Sequence, residues 1–208
     1  MITLRCVTLP EDQDALYEAF YRRAAPDRKR RADRYLRRED GLRCLAAGEL
    51  LRRTLERELG STGFAVIKEP GGKPRISGQD QFHYNLSHSG KRVVIAYGDS
   101  PVGADVQQMH MDAGKEALAK RFFTKEERAY VFECPKLTET RFYQVWTGKE
   151  SYLKYLGTGL KKSLDSFSIL SPEISSMLKV RYLEDGYCVS LCSNDPNCIF
   201  LLDDQPFQ

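Results

Sequence analysis

Three residues on one predicted helix have the side-chain types and the spacing of a candidate catalytic site. Trp146, Glu150 and Lys154 follow one another at intervals of four residues in the segment 138–156, TETRFYQVWTGKESYLKYL. Side chains four residues apart on a helix lie one above the other, so these three share a face, whereas Lys149 points about 100° away. The same spacing also fits an ordinary surface ion pair between Glu150 and Lys154, and this segment alone does not separate the two interpretations.

A further carboxylate lies in a predicted strand. Asp105 is surrounded by small and apolar residues in GADV, where an aspartate needs a partner or a metal ion. In proteins Mg²⁺ is commonly held by one or two carboxylates together with ligand phosphates and water. Asp105 and Glu150 together are therefore a candidate magnesium site.

Two polar segments rich in turn-forming residues could bind an anion. NLSHSG, residues 85–90, is predicted to be a loop that leads into a strand, and it offers backbone N–H groups, the Ser87 and Ser89 hydroxyls and the His88 imidazole. GGKP, residues 71–74, is a turn by composition, and it would contact a phosphate only if Lys73 faced a pocket. Either segment by itself is equally consistent with a packed turn.

Positive charge is concentrated near the N-terminus. Residues 1–101 hold 19 Lys and Arg against 14 Asp and Glu, whereas residues 102–208 hold 13 against 15. The segment 22–38 alone contains nine basic and two acidic residues, a composition that attracts phosphates or forms a solvated helix face. A nucleic-acid-binding module is the alternative from another class, but the segment has few interleaved aromatic residues and the chain carries no nucleic-acid recognition motif.

The composition excludes several classes of protein. Apolar residues make up 41% of the 208 residues, which is enough to bury a core and argues against a disordered chain. No apolar run approaches the ~18–20 residues that a membrane span requires, and the first residues lack the pattern of a secretory signal. We therefore expect a cytoplasmic protein whose six cysteines, none of them in a C-x-x-C pair, are reduced thiols that pack in the interior.

The hydrophobic pattern predicts helices followed by strands in each half of the chain, which indicates an α+β architecture of two similar-sized lobes. Thr124 followed by Glu127 is a capping-box pattern at the start of a helix, and Gly157 and Gly159 are expected to end the helix 138–156. The predicted helices cover 33–59, two pieces of 113–132 and 138–156. The predicted strands cover 64–68, 91–98, 102–107 and the segments DSFSIL, LKVRYL, YCVSLCS and CIFLL, the last four as antiparallel neighbours.

Taken in order, five segments of this chain resemble one protein family. GGKP, NLSHSG, VGADV, RFFTKEE and WTGKESYLKYLGTGL resemble, in order and spacing, the 4′-phosphopantetheinyl transferases of the Sfp type. The similarity runs from about residue 43 to about residue 168 and includes LDSFS, residues 164–168. The last block is the most specific, because the family pattern W-x-x-K-E-(S/A)-x-x-K-x-x-G-x-G is matched by Trp146, Lys149, Glu150, Ser151, Lys154, Gly157 and Gly159.

This resemblance implies an enzyme that transfers the 4′-phosphopantetheine arm of coenzyme A to a serine of an apo acyl- or peptidyl-carrier protein and releases adenosine 3′,5′-bisphosphate. The fold it implies is an α+β pseudodimer in which each lobe packs helices on an antiparallel sheet. Residues 1–101 would form the lobe that contacts the 3′-phosphate and the adenine, and residues 102–208 the lobe with the metal and catalytic residues. We expect a monomer without a nucleic-acid or membrane partner; a catalytically degenerate relative is the alternative.

The resemblance also implies roles for particular residues. Asp105 and Glu150 would hold Mg²⁺ on the coenzyme A pyrophosphate. Where many relatives have a further carboxylate, this chain has Gln107, a weaker ligand, so Gln107 or water would fill the third position. Glu150 is the first candidate for the general base and Glu127, in the RFFTKEE block, is the second.

The remaining residues implied by the resemblance contact coenzyme A. The backbone of Lys73 and Pro74 would flank the adenine. His88 and the Lys73 side chain would lie near the 3′-phosphate, and His88 would also take part in catalysis with Lys154. Exposed apolar residues near 111–123 are the expected docking surface for the carrier, whose pathway (fatty-acid, polyketide or nonribosomal peptide synthesis) the sequence leaves open. The residues expected to bind coenzyme A are Arg28, Arg31, Arg43, Lys73, Pro74, Ser87, His88 and Lys154.

Overall fold

The computed structural model describes residues 1–158 and 162–207, and in these residues runs of helices and runs of strands follow one another, the strands forming three β-sheets. The strands are β1 (Ile2–Thr8), β2 (Val66–Lys68), β3 (Pro74–Ile76), β4 (His83–Ser89), β5 (Arg92–Gly98), β6 (Gly103–Gln108), β7 (Leu178–Leu183), β8 (Tyr187–Cys192) and β9 (Cys198–Pro206). The helices are α1 (Asp14–Arg23), α2 (Pro26–Ala32), α3 (Arg38–Leu59), α4 (Ala113–Phe122), α5 (Lys125–Phe132), α6 (Thr138–Leu156) and α7 (Pro172–Ser175). The predicted α+β class is confirmed.

The first large sheet has the strand order β4-β5-β1-β9, and the long helix α3 packs against β4 and β5. Leucines of α3 recur at helical spacing, so one stripe of the helix faces the sheet and the other carries its charges. Gly60, in the left-handed conformation with φ 68°, ends α3 as the sequence predicts. The helix begins at Arg38 instead of residue 33, because residues 33–37 form a turn after the separate helix α2.

The second sheet has the antiparallel order β6-β8-β7, and α6 packs on β6 and β8. Gly103 makes this packing close, because a Cβ there would collide with backbone atoms of Ser151 and Tyr155 on α6. Apolar side chains from both large sheets meet in one core, so the two sheets lie face against face. Its buried members are Ile2, Leu4, Cys6, Val94, Ala96, Val102, Ala104, Val106, Tyr187, Val189 and Leu191.

Three predictions about secondary structure are wrong. NLSHS is not a loop but most of strand β4, in which alternate side chains face opposite sides. DSFSIL is not a strand, because the segment forms a 3₁₀ turn at Leu164–Ser166 whose carbonyl groups are bound by a lysine of α6. CIFLL belongs to β9, which pairs in parallel with β1 of the first sheet and not with an antiparallel neighbour.

Other predictions about the chain are confirmed or stay open. The helix 138–156 is observed with the predicted bounds, and Gly157 ends it in the left-handed conformation. Gly159 lies outside the described residues. The division into lobes at residues 101 and 102 stays a prediction. Strand β9 belongs to the second segment of the chain but pairs in the sheet of the first. Within residues 1–158 and 162–207, no helix combines the length and the apolarity that crossing a bilayer demands.

Two of the buried cysteines, Cys188 and Cys192, lie where burial disfavours the thiolate form. Burial raises the pKa of Cys188 and of Cys192 to about 12. Because the thiolate is the reactive form, these two thiols are poor nucleophiles and poor metal ligands.

A buried ion pair joins α5 to α6. Lys149 Nζ lies 2.8 Å from Glu127 Oε2, and the two side chains are 1% and 0% exposed. The same ammonium group donates hydrogen bonds to the carbonyl oxygens of Leu164 at 2.7 Å and Phe167 at 2.5 Å. Lys149 thus ties α5, α6 and the 3₁₀ turn that follows α6 to one another.

Glu127 has a full set of internal hydrogen bonds beside that ion pair. Its carboxylate accepts from the backbone N–H groups of Thr124 and Ile169, both at 2.8 Å. The Thr124 hydroxyl in turn accepts from the Glu127 N–H at 3.2 Å, which completes the predicted capping box. Each oxygen of this carboxylate is therefore used within the protein.

Replacing Lys149 should destabilise the fold strongly. Lys149→Met leaves the Glu127 charge buried without a cation, which typically costs about 3–5 kcal/mol. For a chain of this size we expect the melting temperature to fall by about 6–20 °C. Lys120→Met is the matched control, because Lys120 forms an exposed pair with Glu116 and its loss should change little.

The double variant Glu127→Gln, Lys149→Met should regain part of the lost stability, because it removes the second buried charge as well. The stabilities of the three variants and of the unsubstituted chain are measured by thermal and urea unfolding. A Lys149→Met protein as stable as the unsubstituted chain would contradict the buried ion pair.

Candidate active site

The carboxylate of Asp105 is the centre of the candidate site. Its side chain, on β6, is 3% exposed. Lys154 Nζ, at the end of α6, donates to Asp105 Oδ1 at 2.7 Å, and the Ser87 hydroxyl on β4 donates to the same oxygen at 2.7 Å. Gln107 Nε2 donates to the other oxygen, Oδ2, at 3.2 Å. Four residues predicted to belong to the site are thus in direct contact.

Lys154 uses its ammonium group to join the two sheets. Besides Asp105, it donates to the carbonyl oxygen of Ala104 and to the Ser87 hydroxyl, each at 3.1 Å. The ion pair of Lys154 is therefore made with Asp105, and among the described residues none is formed with Glu150. The interpretation of Glu150 and Lys154 as a simple surface pair of one helix is wrong, because the lysine reaches across to β6.

Glu150 lies half-buried one helical turn before Lys154. Among the described residues its carboxylate has no hydrogen bond and no ion pair. Burial raises its pKa above the ordinary value, and the negative charge of Asp105 raises it further, while Lys154 lowers it. Two carboxylates therefore approach a single ammonium group, which leaves an excess of negative charge at this position.

This donor set fits a hard divalent cation. Carboxylate and amide oxygens are the ligands that Mg²⁺ prefers, and the unpartnered carboxylate of Glu150 beside Asp105 supplies uncompensated charge. In the part of the chain that the structure describes, no group of three or more His, Cys, Asp or Glu side chains could hold a metal ion. The protein would thus supply Asp105 and Glu150, and Gln107, water or phosphate oxygens would have to complete the shell.

His88 lies on the opposite face of β4 from Ser87, because successive side chains of a strand alternate. Burial lowers its pKa to about 4, and the positive charges of Arg43, Lys154 and Arg28 contribute to the shift. The imidazole is therefore neutral near pH 7 and lies in a positive field. This field would favour an anion beside His88.

The two arginines whose charges act on His88 come from helices of the first half. Arg43, on α3, donates to the carbonyl oxygen of Gly90 at 3.1 Å and forms an ion pair with Asp40. Arg28, on α2, packs its side chain over Gly48 of α3. Arg31, the third predicted contact, is exposed. Two of the three predicted arginines thus accompany His88.

The structure places Lys73 away from these arginines. Its ammonium group donates to the carbonyl oxygens of Val102 at 2.9 Å and Tyr155 at 3.0 Å, and burial lowers its pKa to about 8. Lys73 therefore joins the GGKP turn to the start of β6 and the end of α6, and Pro74 then opens the short strand β3. In this arrangement the amine has protein partners and the turn is held in place.

Two further residues of the blocks that resemble the family, Glu127 and Trp146, are packed against other side chains of the protein. Glu127 is fully buried with Lys149, and the structure does not bring it together with Asp105 and Glu150. Trp146 packs in an aromatic cluster with Phe122 and Phe142 and not beside the carboxylates. The capping-box pattern was the one signal in the sequence for the structural role of Glu127, and no pattern indicated its partner.

Comparisons with known proteins agree with these blocks. Residues 101–198 match the model of the 4′-phosphopantetheinyl transferase superfamily. The chain is 30% identical over 195 residues to the 4′-phosphopantetheinyl transferase Sfp of Bacillus subtilis (strain 168), covering 86% of each protein. It is 33% identical over 186 residues to the 4′-phosphopantetheinyl transferase psf-1 of Bacillus pumilus, covering 86% of this chain and 76% of that protein.

A third relative covers the chain most fully of these three. The 4′-phosphopantetheinyl transferase gsp of Aneurinibacillus migulanus is 29% identical over 210 residues, which span 93% of this chain and 86% of gsp. The similarity thus extends across both large sheets and includes the blocks that carry Ser87, Asp105, Glu150 and Lys154. The chain belongs to the Sfp-type 4′-phosphopantetheinyl transferases.

Proposed function

We propose that this protein transfers the 4′-phosphopantetheine arm of coenzyme A to a serine hydroxyl of an apo acyl- or peptidyl-carrier protein, with Mg²⁺, and releases adenosine 3′,5′-bisphosphate. The supporting observation is the pair of carboxylates, Asp105 and Glu150, beside the ammonium group of Lys154. Attack of an alcohol on a pyrophosphate builds negative charge on phosphoryl oxygens, and cations stabilise that charge.

The metal would be held by Asp105 and Glu150, with Gln107 or water in the third position. When bound, Mg²⁺ neutralises charge on the pyrophosphate and orients it. Lys154 and Ser87 already lie within hydrogen-bond distance of Asp105 and of each other, and both can donate to phosphate oxygens. A lysine held by three acceptors loses little rotamer freedom on binding, so it is ready for the developing charge.

We assign Glu150 the role of the general base, which accepts the proton of the carrier's serine hydroxyl. It is half-buried, its carboxylate has no partner among the described residues, and it lies one turn from Lys154. Glu127, the second candidate, has both oxygens bonded inside the protein and is fully excluded from solvent. A general base has to come within hydrogen-bond reach of the proton it accepts, which favours Glu150.

Coenzyme A would bind along β4 with its pyrophosphate and its 3′-phosphate on opposite faces of the strand. The pyrophosphate would lie on the side of Ser87, and the 3′-phosphate on the side of His88 with Arg43 and Arg28 or Arg31. A bound phosphate dianion would raise the pKa of His88 from about 4 towards its ordinary value, because the negative charge offsets the arginines. Lys73 would act mainly by holding the turn whose backbone flanks the adenine.

The finer organisation of the protein is part of the same proposal. Residues 1–101 and 102–208 form two related lobes of a pseudodimer, each with helices on antiparallel strands, while β9 crosses from the second lobe to lie parallel to β1 in the sheet of the first. The protein acts as a cytoplasmic monomer. The carrier protein would dock near 111–123, where Met111 is exposed ahead of α4. A catalytically degenerate relative is the second candidate, favoured by Gln107 at a position where a carboxylate would bind metal more strongly.

Glu150→Gln should abolish most transfer without unfolding the protein. Loss of an interaction made chiefly in the transition state typically costs ~10²–10³ in rate. Because Glu150 has no partner among residues 1–158 and 162–207 and is repelled by Asp105, its neutralisation should leave the melting temperature unchanged or raise it slightly. Glu139→Gln, in the first turn of the same helix, is the matched control and should keep normal activity. Single-turnover transfer is followed by intact mass, with and without Mg²⁺.

A Glu150→Gln protein that transfers at the normal rate would contradict the assigned role. If the unsubstituted chain transfers to none of a panel of apo carriers in the presence of Mg²⁺ and coenzyme A, the degenerate relative becomes the correct interpretation.

Arg43→Ala should weaken the binding of coenzyme A and spare its analogue without the 3′-phosphate. A hydrogen bond to a charged group contributes about 1.5–3 kcal/mol, so KM for coenzyme A should rise about 10–100-fold. KM for 3′-dephospho-coenzyme A should change little, because the group that Arg43 binds is missing. Arg30→Ala, an exposed residue of α2, is the control. Equal effects of Arg43→Ala on both substrates would show that Arg43 does not bind the 3′-phosphate.

A further inference from the structure

Two edge strands face each other across the candidate active site without a backbone ladder. β4 is the outer strand of the sheet β4-β5-β1-β9, and β6 is the outer strand of the sheet β6-β8-β7. An edge strand leaves every second residue with an unpaired N–H and C=O. Buried groups of this kind need partners, and those of β6 find them in side chains.

Side chains of β4 accept from backbone N–H groups of β6 at every second residue of both strands. Because the spacing is two on each strand, all three bonds lie on one side of β4 and on one edge of β6. The three pairs are Ala104 N–H to Asn85 Oδ1 at 3.0 Å, Val106 N–H to Ser87 Oγ at 3.4 Å and Gln108 N–H to Ser89 Oγ at 3.0 Å.

The carbonyl groups of the same edge are bound by lysines. Lys73 donates to the Val102 carbonyl at 2.9 Å and Lys154 donates to the Ala104 carbonyl at 3.1 Å. Three N–H and two C=O groups of this edge are thus bound by side chains, two of which, Ser87 and Lys154, also bind Asp105. The alignment of β4 against β6 and the contacts of Asp105 therefore depend on the same bonds.

We propose that Asn85 and Ser89 are positioning residues for the transfer reaction. They fix the register of β4 against β6 and so hold Ser87 at hydrogen-bond distance from Asp105. This inference rests on the proposed function for its catalytic consequence. A slip by one pair moves β4 by two residues, about 6.6 Å, which would separate two oxygen atoms that lie 2.7 Å apart.

The three hydrogen bonds from β6 amides to β4 side chains, which we call the side-chain ladder, are chemically suited to set one register. Asn85 stands at one end and is nearly buried, whereas the two serines carry shorter side chains. An asparagine reaches further than a serine, so a slipped alignment would place a side chain of the wrong length against each amide of β6. Removing an outer pair should therefore loosen the central pair as well as its own.

The test compares Asn85→Ala and Ser89→Ala with two control proteins. Ser89→Thr keeps the accepting hydroxyl, and Val94→Ala removes volume from the core between the sheets without touching the ladder. The first measurement is amide hydrogen exchange at Val106, whose own acceptor, Ser87, is unchanged. The second is a calorimetric titration with Mn²⁺ in the presence of coenzyme A.

We expect both alanine variants to exchange the Val106 amide at least about tenfold faster than Val94→Ala at equal global stability. We expect them also to bind Mn²⁺ with coenzyme A about 10–100-fold more weakly, the usual cost of losing a residue that orients a metal ligand. Ser89→Thr should restore both values, and Val94→Ala should lower the melting temperature while Mn²⁺ affinity stays unchanged.

Faster exchange confined to the Ala104 or Gln108 amide, or unchanged Mn²⁺ affinity in both alanine variants, would overturn the proposal. Ser89 is partly exposed, so its alanine variant decides the question if Asn85→Ala does not fold. If the unsubstituted protein binds neither coenzyme A nor Mn²⁺, the proposed function fails, and the exchange of Val106 still decides whether Asn85 and Ser89 hold the register.

Discussion

A carboxylate that is buried as deeply as Asp105 must be compensated, since an isolated charge in the interior costs several kcal/mol. The compensating ammonium group of Lys154 comes from the last turn of α6, so α6 must pack directly on β6. Such close packing requires Gly103, where any Cβ would meet the backbone of α6. The position of α6 on β6, the glycine at position 103 and the charge balance of the site are therefore all linked to the ion pair between Asp105 and Lys154.

Strand β4 contributes side chains to two sides of the site. Ser87 faces β6 and belongs to the hydrogen-bond network of Asp105. The next residue, His88, lies on the opposite face, in the field of the arginines of α2 and α3. The alternation of a β-strand separates these two environments by a single peptide unit.

Neighbouring residues of α6 divide their roles in a similar manner. Lys149 lies in the core and neutralises Glu127. Glu150 is close enough to feel the charge of Asp105, and it has no partner of its own in the part of the chain that the structure describes. The 100° between successive helical side chains accounts for this separation. One short motif thus contains a residue that stabilises the fold and a residue left available for chemistry, and the two are distinguished by what each side chain meets in three dimensions.

The sequence by itself determined the elements whose signals are local. The helix 138–156, the capping box at Thr124 and the shared face of Glu150 and Lys154 follow from periodicity and from neighbouring side chains, and the structure shows each of them. The ordered blocks also sufficed to identify the family.

Only the tertiary structure decided which elements meet. NLSHS resembles a loop because its polar residues face the backbone edge of another strand, and no local pattern encodes that partner. For the same reason the sequence did not indicate that Lys154 pairs with Asp105 and not Glu150, or that β9 returns to lie parallel to β1. Pairings between residues far apart in the chain depend on packing of the whole fold, and that packing assembled the site.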